Sequence, residues 1–281
     1  MAKKKLSRRI IALIVCLSIV GALLLFCLGL QIAFTVADGI ECWRPDYEQL
    51  SEEEMLQLIE NEDYDALYRQ TGLTQTGIKR ALAKGERGIE RILEIQDDFF
   101  AEHKVENDFF APFVCTDFIE KQITNIYLED GDILVTSSTH LSGWRMGHAG
   151  LVTNSSLSQV LQANAIGSTS NIGTVGDFTT RVNFMVLSPK NVDGQTKAKV
   201  AEAAEKNLQG KVYDPTAGVF SSKNKCERTQ CAHIVWYAYK SYAGIDIDGN
   251  GGLVVTPKNI ANSPEMELVQ VFGFDIDKLW R

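Results

Sequence analysis

The segment Gly147-His148-Ala149-Gly150-Leu151-Val152 is the stretch from which the fold of this 281-residue chain can be inferred. The apolar run after Gly147 predicts a buried strand that begins at His148. A polar loop is predicted before it, over 137–147. Working outward, the pattern predicts further strands over 132–135, 158–166 and 182–187, and helices over 195–208 and 229–242. Strands followed by helices predict an α+β domain.

Residues 10–37 contain no charged side chain. As a helix they would extend about 42 Å, which exceeds the hydrocarbon core of about 30 Å. Five basic residues precede this segment within residues 1–9, and Asp38 and Glu41 follow it. We therefore predict a basic cytoplasmic tail (1–9) and a single-pass membrane anchor (10–37), with the remaining chain outside the cytoplasm. A cleaved signal peptide is the alternative, but its apolar core is about 7–15 residues long.

Residues 38–125 are acidic, with 21 acidic against nine basic side chains. Ser51 and Glu54 fit a capping box, and Gly72 is typical of a helix end. Apolar residues at helical spacing over 48–124 predict a small helical region between the anchor and a main domain at 126–281. Its acidity fits solvated helix faces or a contact with a partner or the cell wall. The net charge of −8 argues against nucleic-acid binding.

Cys231 begins the predicted helix over 229–242. The N-terminal end of a helix carries partial positive charge and free N–H groups, which favour a thiolate and can hold an oxyanion. Cys231 is therefore a candidate nucleophile. The alternative is that it is a small buried core residue.

Among the four histidines, His148 is the best candidate base because it opens a strand directly after a glycine. His140, in the predicted loop, is a second candidate. His233 lies two helical positions after Cys231 and should point away from it, and His103 lies in the acidic region.

A third polar group would orient the imidazole. Gln162 and Asn164 lie two positions apart, and so on one face of a predicted strand. Either amide oxygen could accept a hydrogen bond from the histidine. The alternative is that both only cap a strand edge.

Six sequence blocks, taken together, resemble the circularly permuted papain-like cysteine hydrolases of the NlpC superfamily, most closely the YiiX-like group. The resemblance covers about 126–275, and in this family the histidine precedes the cysteine. The blocks are Glu129-Asp130-Gly131-Asp132-Ile133-Leu134, Gly147 to Val152, Val160-Leu161-Gln162-Ala163, Tyr213-Asp214, Gln230-Cys231-Ala232-His233-Ile234-Val235-Trp236, and Thr256 to Pro264.

The resemblance implies a permuted papain-like domain with a central antiparallel sheet. It implies Cys231 as nucleophile, His148 as base and Gln162 as the polar third residue. It departs from the family where Gln162 replaces the commoner acid and Ala232 the commoner serine. Substrate-binding residues expected from the matching blocks are Tyr213, Asp214 and Trp236.

These features together predict a membrane-anchored bacterial cysteine hydrolase that works outside the cytoplasm without a cofactor. The family resemblance favours amide bonds in peptidoglycan stem peptides. Two alternatives remain open. One is a lipid amide or ester hydrolase or acyltransferase of the same fold, and the other is an inactive protein that binds cell-wall fragments.

Residues 246–251 resemble the start of a calcium loop, but the twelfth position is Pro257 rather than the ligating glutamate, so a turn is expected. No metal site is predicted, since Cys226 and Cys231 lack a second ligand pair for zinc. Reversible oxidation of Cys226 could modulate Cys231. Cys42 and Cys115 could pair in an oxidising compartment, which the sequence does not decide.

The anchor prediction is tested by expressing the full-length chain with a C-terminal tag. The tagged chain should stay in the membrane fraction after an alkaline wash, because its apolar helix spans the bilayer. A variant lacking residues 1–37 should move to the soluble fraction. An immunoblot showing that the mature chain has lost the whole apolar segment would instead identify a signal peptide.

Overall fold

The computed structural model describes residues 7–37, 41–108, 114–141 and 144–280. Its helices are α1 (Arg8–Ala37), α2 (Glu52–Glu60), α3 (Tyr64–Thr71), α4 (Gln75–Leu82), α5 (Glu86–Phe100), α6 (Gly176–Thr179), α7 (Gly194–Asn207), α8 (Cys231–Tyr242) and α9 (Pro257–Ala261). Its strands are β1 (Val105–Asn107), β2 (Cys115–Ile119), β3 (Ile133–Thr136), β4 (Thr139–Leu141), β5 (Trp144–Arg145), β6 (His148–Asn154), β7 (Gln159–Gln162), β8 (Asn171–Thr174), β9 (Phe184–Pro189), β10 (Val212–Tyr213), β11 (Arg228–Thr229) and β12 (Met266–Phe272).

Helix α1 is long and apolar enough to cross a membrane over Arg8–Leu30. It agrees with the predicted anchor in length and composition. Its orientation in a membrane stays a prediction. Residues 1–6 of the predicted basic tail, and residues 38–40 after the helix, lie outside the described residues.

Within the described residues the central sheet has six strands in the order β12-β9-β3-β6-β7-β8, with every neighbouring pair antiparallel. Alternate strand residues point to opposite faces of a sheet. Ala149 and Leu151 of β6 accordingly join one core with α7 and α8, whereas Val152 joins a second core on the other face with Phe178. The prediction of a mixed α+β protein with an antiparallel sheet is confirmed.

Helices α2 to α5 form the predicted helical segment and enclose a third core around Met55, Leu67 and Ile92. The capping box of Ser51 and Glu54 is present. The segment packs directly on the central sheet, because the Thr74 N–H donates to the Val269 carbonyl of β12 at 3.0 Å. The domain boundary at residue 125 stays a prediction, since the two parts of the chain share this interface.

Gly72 ends α3, as predicted, with a φ of +69° that favours glycine. A Cβ at this position would also meet the Val271 carbonyl oxygen. The same glycine therefore both ends the helix and allows the chain to lie against strand β12.

Several predicted boundaries are wrong. Strands β1 and β2 occupy part of the region predicted to be helical up to residue 124, and β4 and β5 lie within the predicted loop 137–147. Strand β7 is shorter than the predicted 158–166, and β8 and β12 were not predicted. The short strands have no alternating pattern of their own; their conformation depends on pairing, as where β2 pairs with β4.

Buried charges connect the helical segment to the main domain. Arg80 of α4 donates to the fully buried carboxylate of Asp132 at 2.5 Å, and the Lys197 ammonium of α7 lies 3.2 Å from the same carboxylate. The Ser188 hydroxyl accepts from both cations at 3.0 and 3.1 Å. Asp132 is therefore neutralised by cations from two separate helices.

Replacing Arg80 with methionine should lower the free energy of unfolding by about 3 kcal/mol, because it leaves part of a buried charge network uncompensated. Arg69→Met is the matched control, since Arg69 pairs with Asp277 on the surface, where such pairs contribute about 0–1 kcal/mol. Urea unfolding of the full chain in detergent, followed by tryptophan fluorescence, measures both. If both variants lost the same free energy of unfolding, the buried pair of Arg80 would contribute no more than the surface pair of Arg69, which would contradict this prediction.

Candidate functional site

Cys231 is the first residue of α8, as predicted, and Gln230 caps the helix. The Gln230 amide oxygen accepts from the Ala232 N–H at 2.8 Å, and its amide nitrogen donates to the Val255 carbonyl at 2.5 Å. The Cys231 thiol lies 3.4 Å from the same amide oxygen. The cysteine is therefore held at a capped helix end.

Helix α8 packs across strand β6, and this packing brings Cys231 to the histidine strand. The backbone N–H of Ala149, the residue that follows His148, lies close enough to the Cys231 sulfur to lower the pKa of the thiol. Both side chains are nearly buried, with 8% of Cys231 and 5% of His148 exposed. Two segments more than eighty positions apart thus meet.

The imidazole of His148 is fixed on two sides. It stacks on the ring of Phe178, with 5.2 Å between centroids and 16° between planes. Its Nε2 lies 2.9 Å from the amide oxygen of Gln162 on β7. The exposed residue Asn164 lies close enough to the imidazole to raise its pKa. Of the two residues that the sequence singled out as candidate orienting groups, Gln162 therefore contacts the histidine and Asn164 lies near it.

The electrostatics differ from the sequence-based expectation of a ready thiolate. Burial raises the pKa of Cys231 to about 11, although the backbone N–H groups of Ala149, Ala232 and Cys231 and the charge of Arg181 lower it. Burial also lowers the pKa of His148 to about 4, and Arg181 lowers it further. The expectation of a thiolate is therefore corrected. At neutral pH the two groups are a thiol and a neutral imidazole, because the effect of burial on their pKa values is larger than that of the helix end.

Two charged residues at the site were missed by the sequence analysis. The Arg181 guanidinium donates to the backbone carbonyl of Asp177 at 2.7 Å and to the Thr139 hydroxyl at 2.8 Å, and its charge acts on both Cys231 and His148. The Asp177 carboxylate accepts from the Gln162 amide at 2.5 Å. No sequence signal marked either residue, since Asp177 in the short helix α6 and Arg181 just after it both lie outside the six matching blocks.

The predicted substrate-binding residues have different surroundings. Half-buried Tyr213 lies near the thiol, since burial and the charge of Cys231 both raise its pKa. The Asp214 carboxylate accepts from the Thr216 backbone N–H in its own loop and from the Arg228 guanidinium of β11, each at 2.9 Å. Trp236 is a correction: it is 2% exposed in the core, and its indole N–H donates to Asp246. A buried ring of this kind offers no surface to a substrate.

The remaining histidine candidates have partners of their own. His140 lies in β4, fully buried, with Nε2 3.1 Å from the Asp117 carboxylate. His233 accepts from the Thr229 hydroxyl and donates to the Lys223 carbonyl, each at 2.8 Å. Neither is the histidine that contacts Gln162.

The segment that resembles a calcium loop forms a turn, and the Asp248 carboxylate within it is bound by the ammonium group of Lys223. Lys223 lies 2.5 Å from Asp248 and 2.7 Å from the Gly252 carbonyl. In the described ranges no group of three or more His, Cys, Asp or Glu residues could hold a metal ion.

The Cys42 thiol lies 3.2 Å from the Val182 carbonyl, and no disulfide joins it to Cys115 in the described chain.

A surface cavity of about 750 Å³ lies between α5 and the loops around residues 126 and 156. Its walls contain the charged side chains of Lys84, Arg87, Glu90, Arg91 and Glu94. Neither Cys231 nor His148 lines it. It is therefore separate from the candidate site.

Comparison with known proteins gives one weak structural likeness. No protein-family model matches the chain, and no curated protein matches it. A solved structure described as metalloprotein yiiX from Escherichia coli O157:H7 is 16% identical, with a TM-score of 0.40 over 50% of this chain and 96% of that chain. The fold is thus weakly similar to that of yiiX, and the description as a metalloprotein applies to that protein alone.

The lowered pKa of His148 predicts acid sensitivity. The unfolded chain takes up this proton near pH 6.5 and the folded chain only near pH 4, so stability falls as the pH drops between these values. The loss attributable to His148 should reach about 3 kcal/mol. Urea unfolding of the wild type and of His148→Gln from pH 7 to 4 measures it, and identical pH slopes would contradict the burial of a neutral imidazole.

Proposed function

We propose that this protein is a membrane-anchored cysteine hydrolase that cleaves amide or ester bonds outside the cytoplasm. The observation that supports it is the position of Cys231: the N–H of Ala149 lies close enough to its sulfur to lower the thiol pKa, and the neighbouring residue on that strand is His148, whose imidazole Gln162 holds. A nucleophile at a helix end, packed on the strand of a histidine that a polar third residue orients, is the combination that acyl transfer requires.

The resting neutral pair sets the order of events. His148 takes the thiol proton as the Cys231 sulfur attacks the substrate carbonyl, so the carbon–sulfur bond and the imidazolium form together. Backbone N–H groups at the start of α8 and the cation of Arg181 favour the negative charge that develops there. The imidazolium then protonates the leaving group, and water releases the acyl group from Cys231 with the base restored.

The first candidate substrate is the stem peptide of peptidoglycan. The resemblance to cell-wall hydrolases of the NlpC superfamily supports this choice, as does the apolar helix α1, whose predicted orientation exposes the domain to the cell wall. The permuted papain-like assignment belongs to the same proposal. The half-buried ring of Tyr213 supplies a wall of the substrate site near the sulfur.

A second candidate is an acylated lipid with an amide or ester bond. Phe220 is 86% exposed and Leu253 is 70% exposed. Their loops touch, since a Cβ at Gly218 would meet the Leu253 carbonyl, and the second loop is tied to Gln230 through Val255. Exposed apolar side chains on loops that connect to the nucleophile favour an apolar substrate group.

Cys231→Ala and His148→Ala should each lower hydrolysis by at least about 100-fold, the smaller value typical of a general base. Full-length protein in detergent is incubated with muropeptides and, separately, with acylated lipids, and products are identified by mass spectrometry. Cys226→Ser, a change at another buried cysteine, is the matched control and should retain activity. Full turnover in the Cys231 variant would refute the proposal, and the active substrate decides between the two candidates.

A further inference from the structure

A three-residue hydrogen-bond chain runs from the candidate base to a carboxylate. His148 Nε2 lies 2.9 Å from the Gln162 amide oxygen, and the Gln162 amide nitrogen lies 2.5 Å from an Asp177 carboxylate oxygen. An ionised carboxylate only accepts hydrogen bonds, so it binds the NH₂ end of the amide. The oxygen end is then directed to the histidine.

This direction decides where the imidazole carries its proton. An amide oxygen only accepts, so its partner Nε2 must be the N–H nitrogen, and Nδ1 of the neutral ring is left with its lone pair. If the amide turned over, its NH₂ group would face Nε2 and favour the opposite tautomer. The two amide orientations have nearly the same shape, and Asp177 is the partner that distinguishes them.

Asp177 is itself held in place. The backbone N–H of Thr174 donates to the same carboxylate oxygen at 3.1 Å, and the Thr174 hydroxyl lies 3.4 Å from the other oxygen. The Asp177 carbonyl accepts from Arg181 at 2.7 Å. The carboxylate is therefore fixed independently of the glutamine that it binds.

Gly173 on strand β8 leaves room for this chain. A Cβ on Gly173 would overlap the Gln162 amide nitrogen and an Asp177 carboxylate oxygen. Its φ lies outside the left-handed region, so the backbone there does not require glycine. The absence of a side chain at this position is instead what allows Gln162 and Asp177 to meet across the strand.

We propose that Asp177 is a positioning residue that fixes the His148 proton on Nε2 through Gln162, leaving Nδ1 to take the proton of the Cys231 thiol. This inference rests on the proposed function. The charge of Asp177 also favours the imidazolium that forms during attack, whereas the charge of Arg181 opposes it. In this arrangement the Asp177 carboxylate acts on His148 through Gln162, and it supplies the negative charge that the amide of Gln162 lacks.

The tautomer is measured directly by ¹⁵N NMR of full-length, histidine-labelled protein in micelles at pH 7. His148→Ala identifies the His148 signals. The wild type should show the Nε2–H form, and Asp177→Ala should shift the ring largely toward Nδ1–H. Gly173→Ala, which leaves the carboxylate present but separates it from Gln162, should do the same.

A double variant distinguishes positioning from a structural role. When Gln162→Glu is combined with Asp177→Asn, the new carboxylate accepts from Nε2–H whichever way it turns, and the amide introduced by Asp177→Asn can donate to it. The Nε2–H form should return in this variant. A role of Asp177 limited to capping the turn at Thr174 would give no such rescue.

Reactivity is followed separately, as the rate at which iodoacetamide alkylates Cys231, read on its peptide by mass spectrometry. Asp177→Ala and Gly173→Ala should slow it at least about tenfold, a part of the 10²–10⁴ that a general base supplies, and the double variant should recover. Matched controls are Asp193→Ala, which removes an exposed helix cap, and Gly194→Ala, where a Cβ meets nothing. Both should alkylate at the wild-type rate.

An unchanged Nε2–H tautomer in both Asp177→Ala and Gly173→Ala would overturn the positioning role. If His148→Ala alkylates as fast as the wild type, the proposed function fails instead, because the histidine then does not activate the thiol. The NMR result still decides the positioning role in that case. The two failures are therefore distinguishable.

Discussion

The packing of helix α8 against strand β6 is the contact on which the rest of the site depends. It places the Cys231 sulfur at the N–H of Ala149 and sets the thiol next to the imidazole strand. The same packing forms the main core, in which Ala149 and Leu151 meet Ile234 and Val235. Because one interface supplies both core and site, the geometry of the site is as rigid as the core itself.

Burial determines the protonation states of Cys231 and His148. A sulfur and an imidazole removed from water are both held neutral, and the N–H groups at the helix end only reduce this effect. In the proposed reaction, the charge separation coincides with attack on the carbonyl. The charge of Arg181 lowers the pKa of the Cys231 thiol, and the charge of Asp177 raises the pKa of His148. Arg181 therefore favours negative charge on the sulfur, and Asp177 favours positive charge on the ring.

The helical segment before the main domain contributes to the same framework. Arg80 extends from α4 to the buried Asp132 at the start of β3. Strand β3 in turn pairs with β6, with Thr136 opposite His148. The acidic segment therefore supports the sheet that carries the histidine, and it also links that sheet to helix α1.

The sequence by itself determined the apolar helix, the capped helices and the central strands, because each has a local signal such as an apolar run, a cap or a glycine. It also singled out Cys231 and His148 as candidates from their places at a helix start and a strand start, while Gln162 was preferred to Asn164 only by the family resemblance. Only the tertiary structure decided the short strands, the buried position of Trp236, and the contacts of Asp177, Arg181 and Gly173. Their neighbours come from distant segments, and the pKa values follow from burial. Pairing, burial and charge are properties of the assembled chain, which no local pattern encodes.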